Sequence, residues 1–88
     1  MPKYRAEYSA AFTEDYLYWT RTDQAVASRI DRLMLAIEQN PFSGVGKPEP
    51  LRWGPFKAAW SRRITREHRL IYKVEKNTIT FLQCRYHY

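Results

Sequence analysis

The sequence has one cysteine, three glycines, two histidines and no long apolar run in its 88 residues. The lone Cys84 excludes an intramolecular disulfide and a zinc site built from several cysteines, and it favours a reducing, cytoplasmic compartment. No stretch approaches the ~20 apolar residues of a membrane-spanning helix, so no membrane association is expected. The opening residues, MPKYRAEYSAAF, contain no apolar segment of the kind that secretory signals need.

Several enzyme motifs are also missing. There is no Walker loop, no GxGxxG and no HExxH. A metal site would have to use His68, His87 and scattered carboxylates, so no metal or other cofactor is expected. Cys84 lies on the apolar side of a strand pattern, which is typical of a buried structural thiol rather than of a nucleophile.

Positive charge is concentrated in the middle of the chain. Residues 1–46 carry five Lys/Arg and six Asp/Glu, whereas residues 47–73 carry eight Lys/Arg and two acids, a net charge of +6 within that segment. A basic segment inside a folded domain suggests a polyanion such as nucleic acid as partner. The alternative is a solvated basic face that maintains solubility.

Hydrophobic periodicity predicts one α+β domain over residues 1–88, with the order β-α-α-β-β-β and two helices against an antiparallel sheet. Ser9 can cap the first helix and Thr22 the second, which should end at Asn40-Pro41. The predicted apolar stripe of the second helix is Val26, Ile30, Leu33 and Ile37. The predicted strands are Lys3–Tyr8, Phe56–Thr65, His68–Val74 and Thr78–Tyr86.

A carboxylate, a histidine and two arginines are sufficient for metal-free RNA cleavage. Such cleavage needs a base for the 2′-hydroxyl proton, an acid for the leaving oxygen and cations over the phosphorane, and Glu49, His87, Arg63 and Arg69 supply these residue types. Each residue also has an ordinary interpretation, as a solvated turn acid, a frayed terminal histidine or solubilising arginines. Spacing alone does not bring the four together.

Four longer strings carry a family resemblance that covers most of the chain from Asp15 onward. They are DYLYW at 15–19, NPFSGVGKPEPL at 40–51, WSRRITREHRLIYKV at 60–74 and CRYHY at 84–88. In these strings the sequence resembles the YoeB/Txe toxins of the RelE-like superfamily, the mRNA interferases of bacterial toxin–antitoxin pairs. It departs from the family in the first dozen residues and at 52–57, where Trp53 could pack or stack on a base.

The resemblance implies a compact α+β toxin that cleaves mRNA in the ribosomal A site, without a metal and through a 2′,3′-cyclic phosphate. Glu49 matches the general base and His87 the general acid. Arg63 and Arg69 match the cations at the scissile phosphate, and Tyr88 matches the tyrosine beside the acid.

The implied partners are mRNA, ribosomal RNA and a cognate YefM/Axe-like antitoxin, and a homodimer is also compatible. Four further basic residues are expected to contact RNA, namely Lys47, Arg52, Arg62 and Arg66. The competing interpretation is a catalytically silent RNA- or ribosome-binding module, or a corepressor that acts with the antitoxin. The presence of both Glu49 and His87 disfavours it, because binding alone would not require both.

Overall fold

The computed structural model describes residues 4–52 and 58–86, in which two helices pack on a five-stranded sheet. The strand order across the sheet is β1-β5-β4-β3-β2. The α+β class is therefore confirmed. The elements are β1 (Arg5–Tyr8), α1 (Ala10–Thr22), α2 (Gln24–Gln39), β2 (Glu49–Pro50), β3 (Trp60–Arg63), β4 (Arg69–Glu75) and β5 (Thr78–Gln83).

The sheet differs from the expectation in two respects. It is mixed rather than antiparallel, because β1 pairs in parallel with β5 while the other neighbours are antiparallel. The short links between β3, β4 and β5 predict the pairing of those three strands only. The two helices separate β1 from them in the chain, so no short link predicts which strand β1 joins. The second difference is β2, whose Glu49 and Pro50 pair with Ser61 and Trp60. The prolines predicted a loop here. Proline has no N–H to donate, but a strand at the edge of a sheet tolerates this because it has a neighbour on one side only.

The helix boundaries follow side-chain caps. Ser9 caps α1 as predicted, since its hydroxyl accepts from the Phe12 amide at 3.0 Å and donates to the Leu82 carbonyl at 2.7 Å. Asp23, not Thr22, caps α2, and its carboxylate accepts from the Val26 amide. The Asp23 amide also donates to the Trp19 carbonyl at the end of α1, so one residue caps both helices.

One apolar core fills the space between the helices and the sheet. Ile30, Leu33 and Ile37 of the predicted α2 stripe are fully buried, and Val26 packs at the edge of the core. In β4, Leu70, Ile71 and Tyr72 are all fully buried. Because consecutive residues point to opposite faces, this strand is covered on both sides. Ile71 meets a second cluster with Leu51, Ala59 and Leu82. Of the helices in the part of the chain that the structure describes, none combines the length and apolarity that crossing a bilayer requires.

Arg62 lies in the interior, which contradicts the expectation that it contacts RNA. Its exposure is 0%, and its guanidinium donates to the Tyr72 hydroxyl and to the carbonyls of Asn40, Ser43 and Val45 at 2.7–3.1 Å. Its partner in the β3–β4 register is the core residue Leu70, so strand alternation points it inward.

The Tyr72 hydroxyl completes this network by donating to the carbonyl of Pro41 at 2.7 Å. Burial raises the pKa of Tyr72, and the nearby Arg62 opposes that shift. The network attaches the loop that follows α2 to the sheet.

Replacing Arg62 by methionine should destabilise the fold by about 2–4 kcal/mol, because three loop carbonyls and the buried Tyr72 hydroxyl would lose their donor. Urea unfolding measures the change. Arg66→Met, which alters an exposed arginine of the β3–β4 turn, is the matched control and should leave the midpoint unchanged. Equal midpoints for the two variants would show that the Arg62 network contributes nothing.

Cys84 should resist alkylation in the native protein. Its side chain is fully buried, and burial together with the negative charge of Asp15 raises the pKa of the thiol. The thiolate is therefore scarce in the folded state, and stability should fall as pH rises above the ordinary thiol pKa of about 8.5. Iodoacetamide labelling followed by mass spectrometry should show slow reaction in buffer and fast reaction in denaturant. Fast native labelling would contradict this account.

Candidate functional site

Strand register brings three predicted site residues to one face of the sheet. Glu49 lies opposite Ser61, and Arg63 lies opposite Arg69. Alternation along β3 puts residues 61 and 63 on the same side. That side is opposite the one on which the core residue Leu70 lies. The sheet therefore presents Glu49, Arg63 and Arg69 together on the face that the helices do not cover.

Glu49 and Arg69 form an ion pair in which the two partners differ in exposure. The distance from Arg69 Nη1 to Glu49 Oε1 is 3.4 Å, and the side chains are 16% exposed for Arg69 and 56% for Glu49. The arginine is thus held by the protein while the carboxylate remains accessible. Arg63 is exposed opposite Arg69, so two cations and one carboxylate share this face and the patch keeps a positive excess suited to an anion.

The loop before β2 is held in a conformation that requires glycine. Gly46 has a φ of +89°, and a Cβ there would lie 2.8 Å from Cδ2 of Leu33 and 3.2 Å from Cβ of Arg62. Its carbonyl accepts from the amide of Arg63 at 2.7 Å. The loop is therefore tied to β3 three residues before Glu49, which fixes the approach of the carboxylate.

The described backbone after β5 reaches Arg69 as well. The Arg69 amide donates to the Tyr86 carbonyl at 3.2 Å, and the Tyr86 amide donates to Nδ1 of His68 at 2.7 Å. His87 and Tyr88 lie outside the described residues, as does Trp53. The Tyr86 carbonyl nevertheless belongs to the peptide that joins Tyr86 to His87. The described backbone thus runs beside Arg69 up to the residue before His87.

The remaining predicted RNA contacts are at the surface. Lys47, Arg52 and Arg66 are exposed, and their role stays a prediction. Arg62 does not belong with these surface residues, because its guanidinium is buried and donates to groups inside the protein. Across residues 4–52 and 58–86, no group of three His, Cys, Asp or Glu side chains is arranged to hold a metal ion.

Sequence reasoning missed the side chains that hold the backbone after β5. Asp15 accepts from the Cys84 amide at 3.1 Å, and Trp19 Nε1 donates to the Cys84 carbonyl at 2.8 Å. The available signal was their i, i+4 spacing, which places both on one side of α1. The sequence indicates His68 only as a possible metal ligand, and nothing local in it predicts the contact with Tyr86.

Comparison with known proteins points to one family. A family model described as the YoeB-like toxin of bacterial type II toxin-antitoxin systems matches residues 8–88. The toxin YoeB of Mycobacterium bovis is 51% identical over 75 residues, which cover 85% of this chain and 87% of that protein. Both findings agree with the resemblance seen in the sequence strings.

Solved structures show the same architecture. A YoeB/ParE toxin from Agrobacterium tumefaciens has a TM-score of 0.89 and 40% identity, with 96% of this chain and 99% of that one covered. A YoeB dimer from Staphylococcus aureus has a TM-score of 0.86 and 37% identity over 98% and 99% of the two chains. A YoeB–YefM complex from Staphylococcus aureus has a TM-score of 0.84 and 36% identity over 97% and 98%. The chain therefore belongs to the YoeB-like toxin family of bacterial type II toxin–antitoxin systems.

Proposed function

We propose that the chain is an endoribonuclease toxin that cleaves mRNA in the ribosomal A site by metal-independent general acid–base catalysis. The observation that carries this proposal is the accessible Glu49 carboxylate, held by Arg69 on a sheet face that also presents Arg63. A base beside two cations is the arrangement that attack by a 2′-hydroxyl on a phosphate requires.

Glu49 acts in the first half of the reaction. It accepts the proton of the 2′-hydroxyl, and the 2′-oxygen attacks the neighbouring phosphorus in line with the 5′-oxygen. The contact from Arg69 to Oε1 orients the carboxylate and leaves Oε2 to accept the proton. The exposure of Glu49 allows an extended RNA strand to reach it.

Arg63 and Arg69 stabilise the charge that builds up on the phosphorane. Arginine suits this role because its planar guanidinium can donate two parallel hydrogen bonds to phosphate oxygens. Arg69 is mostly buried and is held before substrate arrives, whereas Arg63 is exposed and can close on the phosphate. Preorganised donors of this kind stabilise a transition state more than mobile ones do.

His87 acts in the second half by donating a proton to the 5′-oxygen as the P–O5′ bond breaks. The products are a 2′,3′-cyclic phosphate and a 5′-hydroxyl. Tyr88 positions the acid or packs on the substrate. The hydrogen bond between Arg69 and Tyr86 supports this assignment, because it attaches the backbone next to His87 to the residue that holds Glu49.

The binding partners follow from charge and from the relatives. Lys47, Arg52 and Arg66 contact the RNA backbone of mRNA or of ribosomal RNA, with an affinity that weakens as salt rises. A YefM-like antitoxin covers the basic face and silences the toxin in the cytoplasm, as the Staphylococcus aureus complex suggests by analogy. A homodimer is proposed on the analogy of the dimer from the same organism.

Replacing Glu49 by glutamine should lower cleavage by about 10²–10⁴-fold, because the amide keeps the shape but cannot accept the proton. Primer extension on a translated mRNA measures cleavage, and co-sedimentation with ribosomes should show unchanged binding. Glu67→Gln, which removes an exposed acid from the same basic segment, is the matched control and should cleave normally. Wild-type cleavage by folded Glu49→Gln would remove Glu49 from the mechanism.

Replacing His87 by alanine should abolish cleavage of a normal linkage but spare a linkage with a 5′-thio leaving group. A thiolate leaves without protonation, so that substrate does not need the acid. The measurement is single-turnover cleavage of ribosome-bound mRNA that carries either linkage at the mapped site. An equal loss on both substrates would mean that His87 binds or orients RNA and that another group supplies the proton.

A further inference from the structure

Side chains from α1 and from the link between β3 and β4 hold the backbone that follows β5. Asp15 and Trp19 of α1 bind the amide and the carbonyl of Cys84, and His68 binds the amide of Tyr86. At 2.7 Å, the contact between Tyr86 N and His68 Nδ1 is the shortest of the three. His68 therefore contacts the backbone one residue before the proposed acid.

The tether that His68 provides acts on an unusual backbone conformation. Tyr86 has a φ of +64°, in the left-handed region that residues other than glycine rarely adopt. Such a conformation persists only where the surroundings hold it in place. The amide of Tyr86 is held by His68 and its carbonyl by the amide of Arg69, so both sides of the strained residue are fixed.

His68 is itself held before it makes this contact. Its amide donates to Oγ1 of Thr65 at 3.2 Å, and its carbonyl accepts from the amides of Ile64 and Thr65. Its ring lies edge-on to Trp19, with centroids 4.7 Å apart, and 5.3 Å from the ring of Tyr86. Little motion remains to be lost when the tether forms.

The contact assigns a role to one ring nitrogen. Nδ1 accepts a hydrogen bond from an N–H group, so it carries a lone pair, and a neutral ring has its proton on Nε2. Nδ1 accepts the hydrogen bond from the Tyr86 amide and therefore cannot donate a proton while that contact is intact.

We propose that His68 is a positioning residue that fixes the backbone of Tyr86 beside Arg69, and that it acts in this way on the proposed acid His87, the next residue in the chain. This inference rests on the proposed function. A shift of about 1 Å in a catalytic group can cost on the order of 10²-fold in rate, which is the effect expected when the tether is lost.

Three substitutions of His68 test its hydrogen-bond acceptor, Nδ1, apart from the rest of the imidazole ring. His68→Leu removes it, His68→Asn places an amide oxygen near the position of Nδ1, and His68→Gln places it one carbon farther out. We expect His68→Leu to lose about 10²-fold in single-turnover cleavage of a normal linkage. His68→Asn should keep most of the activity, and His68→Gln should keep less than His68→Asn.

Changing the leaving group from oxygen to sulfur gives a test that a purely structural role for His68 would not pass, because the thio linkage restores only the rate lost for want of an acid. If His68 acts by placing the acid, the 5′-thio linkage should restore most of the rate that His68→Leu loses. If the 5′-thio linkage restores cleavage by His87→Ala but not by His68→Leu, the inference about His68 is wrong and the proposed function stands. No recovery of His87→Ala would instead overturn the assignment of the acid. Loss of all activity in folded His68→Asn, with rescue by the thio linkage, would show that His68 is the acid.

Hydrogen exchange tests the tether without any catalysis. The Tyr86 amide, followed by NMR, should exchange slowly in the wild type and in His68→Asn. It should exchange at least about tenfold faster in His68→Leu, since protection reports the free energy of opening this contact. Equal protection in all three proteins would overturn the inference whatever the activities are, and urea unfolding shows whether a variant has lost the fold.

Discussion

The buried guanidinium of Arg62 is the interaction on which the arrangement of the site depends. A charged group in the interior is costly unless its donors are satisfied, and here three backbone carbonyls and one hydroxyl accept from it. Those carbonyls belong to the segment that follows α2. Arg62 thus determines the path of the loop that ends at Glu49. The adjacent Arg63 points to the opposite face and is exposed, so of two consecutive arginines one holds the loop and the other lies at the surface.

Fold and site are linked through the register of β3 and β4. The Gly46 carbonyl binds the Arg63 amide, while Glu49 pairs with Ser61 on the same strand. A slip of one residue in β3 would turn Arg63 into the core and Arg62 toward solvent. Arg62 opposes such a slip because its partners exist only on the core side. The buried network therefore stabilises the register as well as the loop.

The sequence predicted the parts of the fold that rest on local chemistry. Ser9 as a cap, the end of α2 at Asn40 and the buried stripe through Ile30, Leu33 and Ile37 are confirmed, since each depends on residues within a few positions. The parallel pairing of β1 with β5 was missed because it joins distant segments. The burial of Arg62 was also missed. The alternation around Trp60 and Ile64 puts residue 62 on the core side, but an arginine is seldom fully buried and so was expected at the surface.

The candidate site was predictable only in part. Composition indicated a basic segment, and the family resemblance supplied Glu49, Arg63, Arg69, His87 and Tyr88 as site residues. Spacing could not show that Glu49 meets Arg69, because 20 positions separate them and their contact depends on β3 lying between β2 and β4. The role of His68 depends on the path of the chain after β5, which no local pattern encodes.

Arg69 connects the two halves of the proposed reaction. Its guanidinium contacts Glu49, and its backbone amide binds the Tyr86 carbonyl, in the peptide that leads to His87. One residue of β4 thus fixes both the base and the approach to the acid. In-line attack requires the base and the acid on opposite sides of the phosphorus, so their separation must match the width of a phosphorane. A rigid strand suits this requirement better than two independent loops, because Arg69 contacts Glu49 through its side chain and Tyr86 through its backbone from one position in β4.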